Sequence, residues 1–120
     1  YQGEWKDGWP RGNGTWYFDN GRVDYQGEWK DGLPHGHGTA YHRETGKKAY
    51  EGQWKKGNQD GHGTTFFDNG QVNHQGEWKN NSAHGNGTRH YDNGRVQYQG
   101  EWKDGLPHGH GTAYHRETGK

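Results

Sequence analysis

The side chains of this 120-residue chain that could do chemistry are ten His, seven Trp, eight Tyr and a recurring Glu–Lys pair. The histidines invite a metal reading. His35 and His37 lie two apart, as do His108 and His110, which suits two ligands on one face of a strand; His42 and His115 lie further along. The competing reading makes His35 and His108 turn-region side chains bonded to backbone. It is the reading adopted, so no metal and no cofactor is assigned. Imidazoles that titrate near pH ~6.5 would still make assembly pH-sensitive. The Asp-Asn-Gly triplets at 19–21, 68–70 and 92–94 offer one carboxylate each, which is thin ligation for calcium. Hydrolytic catalysis needs an activated nucleophile or paired carboxylates in a pocket. The chain has no Cys and one Ser, Ser82, and its acids fall on turns or on a charged strand face. No enzyme activity and no catalytic residue is expected. Lys6, Lys30, Lys55, Lys56, Lys79 and Lys103 recur near one strand end, each with an acidic neighbour, so an anionic lipid surface is a weak partner. The 15 basic and 15 acidic residues cancel, which argues against nucleic acid. Sequons at Asn13, Asn80 and Asn86 matter only in a secreted chain.

The elements that position these groups must be built from unusual material. Leu, Val and Phe together number eight, with no Ile and no Met, while Gly numbers 24. Aromatic residues number 18. The apolar material is therefore rings, and too few aliphatic side chains remain to fill a two-layer core. No apolar run approaches the ~18 residues of a membrane-spanning helix.

Self-similarity organises the chain. Y-Q-G-E-W-K-D-G begins at Tyr1, Tyr25 and Tyr98, with variants at Tyr50 (Y-E-G-Q-W-K-K-G) and His74 (H-Q-G-E-W-K-N-N). The units are 1–24, 25–49, 50–73, 74–97 and 98–120. The one-residue excess of the second unit lies where E-T-G-K-K replaces D-N-G-R-V, which reads as a loop insertion. Segment 25–47 recurs unchanged as 98–120, the mark of recent duplication or of design. The first unit lacks the R-V-x lead-in and the last stops before the next Tyr is due. The 120 residues therefore read as a window of a longer array, natural or designed.

Within a unit, Val23, Tyr25, Gly27 and Trp29 alternate with Arg22, Asp24, Gln26, Glu28 and Lys30. Period two predicts a strand with one aromatic and one charged face. A turn-forming K-D-G-L-P-H-G follows, then a second strand that closes on Asp-Asn-Gly, a strong hairpin signal. The expected fold is all-β: five tandem hairpins, about ten antiparallel strands in one elongated single layer, with no helix. Gly27, Gly36, Gly38 and Gly100 hold fixed phase with the rings, so they are expected to be sockets on which Tyr and Trp lie. Glu28 and Lys30, with Glu4/Lys6, Glu77/Lys79 and Glu101/Lys103, are expected to stack as mixed-sign ladders serving solubility and register.

The pattern Y-x-G-E-W-x-x-G-x-x-H-G-x-G resembles the MORN repeat (membrane occupation and recognition nexus). Tyr25, Gly27, Glu28, Trp29, Gly32, His35, Gly36 and Gly38 fit it directly, and all five units are covered. Departures are Arg11 at the His position, Gln53 for Glu, Asp60 for His, His74 for Tyr and Asn81 for Gly. The resemblance implies a gently twisted single sheet acting as a scaffold or interaction module, often dimeric, sometimes beside a catalytic domain, with phosphoinositide binding attributed to such repeats. It implies an intracellular, cytoskeleton- or membrane-associated location, an extracellular filament being the other possibility. Segment 16–21, W-Y-F-D-N-G, is also similar to the aromatic–glycine units of choline- or cell-wall-binding repeats, which would use cages for quaternary ammonium or sugar. The G-E-W-x-x-G…G-x-G core fits MORN better.

A single sheet leaves rings uncovered and strand edges unpaired, which marks interfaces. The function expected is a rod- or filament-forming structural scaffold that associates through its aromatic face or its strand ends. A module binding a partner helix or peptide in the aromatic groove is the alternative, and a phospholipid-surface adaptor follows. The residues expected to carry repeat structure and interaction are Tyr1, Trp5, Tyr25, Gly27, Trp29, Gly36, Gly38, Tyr50, Trp54, Trp78, Tyr98, Gly100 and Trp102.

Overall fold

A computed structural model describes residues 1–114. His115, and with it the end of the fifth unit, lies outside the described residues. Ten strands follow one another: β1 (Gln2–Lys6), β2 (Trp9–Tyr17), β3 (Val23–Lys30), β4 (Leu33–Tyr41), β5 (Lys48–Lys55), β6 (Asn58–Phe66), β7 (Val72–Lys79), β8 (Ser82–His90), β9 (Val96–Lys103) and β10 (Leu106–Ala113). All pair antiparallel in chain order in one open sheet, and no helix occurs among the described residues. The molecule measures 52 × 28 × 15 Å, so the sheet is one layer thick.

Two kinds of connection alternate. Within a unit the turn is two residues long: Asp7-Gly8, Asp31-Gly32, Lys56-Gly57, Asn80-Asn81 and Asp104-Gly105 all have positive φ. That is the I′ geometry, whose twist matches the strands and which favours Asp-Gly and Asn-Gly. The Asp-Asn-Gly triplets sit instead in the longer links between units. Phe18 N–H donates to the Arg22 carbonyl, and the Asn20 side chain accepts from Arg22 N–H at 2.9 Å. Asn69 and Asn93 repeat that local bond. The inserted residue of the second unit enlarges such a link, where His42 N–H reaches the Lys47 carbonyl.

The register puts one glycine of every strand in a single row: Gly3, Gly14, Gly27, Gly38, Gly52, Gly63, Gly76, Gly87, Gly100 and Gly111 are successive Cα partners. A methyl on Gly27 would lie 2.5 Å from the Gly38 Cα. Along this row Gly3, Gly27, Gly52, Gly76 and Gly100 are closed to a side chain by the neighbouring backbone, and the alternate glycines by an overlying ring.

Two irregularities recur in every interior unit. Inside each hairpin the return strand bulges opposite Glu28 or its equivalent, between the pairs Gly27–Gly38 and Trp29–Pro34. Between hairpins, register shifts between Trp16 and Tyr17, so that Asp24 has no partner of its own. A bulge re-aims the side chain it carries. Strict alternation places Asp24 on the charged face; the bulge instead sets it beside the rings of the aromatic face, where it lines a cavity.

The Glu–Lys ladder also differs from expectation. Glu28 accepts a hydrogen bond from His37 N–H at 2.8 Å, closing the bulge. Glu4, Glu77 and Glu101 do the same for Asn13, Asn86 and His110. The carboxylate thus serves a backbone donor that the bulge leaves unpaired, a stronger demand than an exposed ion pair.

Candidate functional site

The rings build the aromatic face by leaning in opposite directions. Each Tyr leans forward over the glycine of the next strand: a methyl on Gly38 would lie 1.9 Å from the Tyr25 hydroxyl. That hydroxyl donates to the Glu28 carbonyl at 3.0 Å, as Tyr50 donates to Gln53 at 2.9 Å. Each interior Trp leans back. Trp29, Trp54, Trp78 and Trp102 donate their indole N–H to the carbonyls of Gly14, Gly38, Gly63 and Gly87 at 3.0–3.1 Å. Forward-leaning Tyr and backward-leaning Trp then interleave. Tyr25 meets Trp29 edge-on at 5.1 Å and Trp54 of the next unit at 5.2 Å. The series runs unbroken from Trp5 and Tyr1 to Trp102 and Tyr98.

This zipper changes the expected exposure. The interior rings shield one another without a second layer: Tyr50 is 1% exposed, and Tyr25, Trp29, Trp78 and Trp102 are buried. The Tyr25 phenol is held well above its ordinary pKa by burial, with the Glu28 charge adding to it; burial likewise pushes Tyr50 up to about 12. The rings left exposed belong to the first hairpin, with Trp5 58%, Trp9 61% and Trp16 45% exposed and Tyr17 also open.

Among the sequence-selected residues, Tyr1, Trp5, Tyr25, Trp29, Tyr50, Trp54, Trp78, Tyr98 and Trp102 meet in the zipper. Gly38 lies under a ring, while Gly27 and Gly100 meet the backbone of Gly38 and Gly111. Gly36 meets no ring: it lies at φ +82 against the Glu28 carboxylate.

His74 takes the Tyr place in the fourth unit. It is 1% exposed, stacked edge-on between Trp78 at 5.1 Å and Trp102 at 4.7 Å. An imidazole is shorter than a phenol, and both its nitrogens are without a hydrogen bond. Burial, then the nearby Arg89 and His90, lowers its pKa to about 4. Arg89 stacks on Trp102 with its guanidinium carbon 4.3 Å from the ring centroid.

The opposite face is polar, and its shallow hollows follow the glycine row. One of about 430 Å³ is floored by Gly3, Gly14 and Gly27 and walled by Gln2, Asn13, Thr15 and Gln26. Lys6, Lys30, Lys55, Lys79 and Lys103 stand exposed beside the two-residue turns. Among the described residues no three His, Asp or Glu come together as metal ligands.

Trp16, read only within the W-Y-F-D-N-G segment, and Asp24, read as a charged-face residue, were not among the residues expected to carry interaction. A cavity of about 230 Å³ is lined by both, with Tyr25, Trp29, Gly32 and Pro34. Aligning the units by strand pairing could have found them. The places of Trp16 hold Ala40, Thr65 and Arg89 in later units, and those of Asp24 hold Ala49, Asn73 and Gln97.

Comparison with known proteins agrees with this architecture. The family described as MORN repeat matches five times, over residues 1–21, 25–42, 50–72, 74–94 and 98–115. No curated protein matches the chain. The matched segments coincide with the five hairpins, and the chain belongs to the MORN repeat family.

Proposed function

We propose that this array is a non-catalytic structural scaffold that extends by end-to-end contact into rods. The complementarity of its two ends carries the reading. Each interior Trp finds a Gly carbonyl and a ring edge on the preceding hairpin, Tyr for Trp29, Trp54 and Trp78 and His74 for Trp102, and Trp5 has neither. At the other end, among the described residues, no further Trp meets Tyr98, and Gly111 holds the place in the glycine row that Gly87 holds for Trp102. The β10 edge thus offers what Trp5 lacks. A second copy would repeat the junction already made four times inside the chain, and a further unit of a longer array would seat in the same way. Such a contact does not close on itself, so it propagates. At about 4.8 Å per strand each added hairpin lengthens the rod by roughly 10 Å.

Light scattering over a concentration series, with negative-stain microscopy of the same samples, tests this. Growth into rods by the native chain and its loss in Trp5→Ala is the expected result. Constant mass across the series would sink it.

A second reading is favoured by Trp9, Trp16 and Tyr17, which lie outside the repeating zipper and are exposed. They form a surface suited to a partner protein. A phospholipid adaptor is the weaker alternative, because Asp7, Asp31 and Asp104 stand next to the exposed Lys row.

A further inference from the structure

At the first inter-unit junction the aromatic face opens instead of closing. The Trp16 and Trp29 planes are tilted by 38° with centroids 6.1 Å apart, forming a wedge. Tyr25 stands edge-on to Trp29, and Gly32 and Pro34 complete a cavity of about 230 Å³. Asp24 lines that cavity through its bulge, and among the described residues its carboxylate has neither a hydrogen bond nor an ion pair. Burial raises its pKa, the mark of a carboxylate partly withdrawn from water with no cation supplied.

The fourth junction shows what this geometry accepts. There the place of Trp16 is held by Arg89, whose guanidinium lies 4.3 Å from the centroid of Trp102, the counterpart of Trp29. The sheet stacks a planar cation on that indole where the sequence provides one. At the first junction the sequence provides a second indole and an acid instead.

We infer that the Trp16–Asp24–Trp29 wedge is a recognition site for an arginine side chain of a partner protein. A guanidinium is flat, stacks on an indole face such as the exposed Trp16 ring, and can offer two parallel N–H donors to one carboxylate. An ammonium group has neither the plane nor the fork. The surroundings favour a protein over a free small molecule. Trp9 packs on Gly32 and is largely exposed, and Leu33, between Gly32 and Pro34, is also open. An apolar aromatic rim around a charged anchor pocket is how arginine hot spots are built. The site does not depend on end-to-end association, since none of its lining residues belongs to β1 or β10.

The test titrates the 120-residue protein with three blocked tripeptides, Gly-Arg-Gly, Gly-citrulline-Gly and Gly-Lys-Gly, following the Trp16 and Trp29 indole N–H resonances. Citrulline keeps the shape of arginine and removes the charge. Saturable shifts with the arginine peptide are expected, weaker by about tenfold with lysine and by more with citrulline. Asp24→Asn, at a side chain without partners, should keep the circular dichroism spectrum and bring arginine down to the citrulline level. Trp16→Ala should weaken arginine binding about tenfold, with its fold checked by the same spectrum. Equal binding of arginine and citrulline, or an unchanged response in Asp24→Asn, would overturn the assignment. Shifts of Trp16 that follow protein concentration without peptide and persist in Trp5→Ala, where end-to-end growth is lost, would also overturn it, since the occupant would then be a second copy.

Discussion

Acidification should destabilise this protein through one side chain, His74, and the size of the effect follows from where that ring sits. Enclosed between Trp78 and Trp102 and 1% exposed, it takes a proton in the folded state only near pH 4, against 6.5 in the unfolded chain. Desolvation is the main cause, and the positive Arg89 and then His90 add to it. Between those two values the unfolded state binds the extra proton, so stability is fully present above the unfolded value and falls as pH falls. The loss is about 1.36 kcal/mol per pH unit, reaching about 2.5 kcal/mol at pH ~4.5 and levelling near the folded value. The partner experiment is His74→Tyr. The phenol should regain the bond that Tyr25 makes to the Glu28 carbonyl, here to Glu77, adding about 1 kcal/mol at neutral pH. It should also abolish the acid-dependent loss assigned to this position. Urea unfolding of both proteins at pH ~7 and ~4.5 gives the difference directly. Should native chain and His74→Tyr lose equal stability on acidification, the buried-imidazole account fails.

Three further outcomes check the architecture. Trp102→Ala removes a buried ring of the zipper and should cost about 3–5 kcal/mol, whereas exposed Trp5→Ala should cost less than about 1; equal falls in melting temperature would contradict the interleaved packing. Gly38→Ala puts a methyl 1.9 Å from the Tyr25 hydroxyl and should cost about 3 kcal/mol, more than Gly21→Ala, which strains a φ of +85 but meets nothing within 4 Å. Urea midpoints that rank these two the other way would refute the close approach. Glu28→Ala uncovers the His37 N–H in the bulge and should cost about 1–2 kcal/mol, against less than about 0.5 for Lys30→Ala; similar values for both would restore the simple charge ladder.

Much of the fold was legible because the repeat enforces one answer five times. Tyr25, Gly27 and Trp29 recur at fixed spacing, and a side-chain period of two can be satisfied only by a strand. The one-residue excess of E-T-G-K-K at 44–48 is taken up in the link between β4 and β5, where it leaves the phase of both strands unchanged. The two turn signals were present in the sequence, but their assignment was not. Asp31-Gly32 makes the tight turn and Asp19-Asn20-Gly21 the longer link, a choice set by how many residues the bulges consume on each side.

By itself, then, the sequence determined a single antiparallel sheet of five hairpins with rings and glycines in phase, because period and composition leave no other way to bury aromatic surface. Three-dimensional pairing decided the rest. Strict alternation cannot foresee a bulge, and two bulges per interior repeat took Glu28 from an ion-pair ladder to a backbone donor and Asp24 from the charged face to the aromatic one. Nor does alternation say which way a ring leans. Opposite leans of Tyr and Trp turned an open aromatic face into a closed zipper, leaving exposed Trp5 on the edge strand β1 and Trp9, Trp16 and Tyr17 of β2, which stand outside the interleaved series.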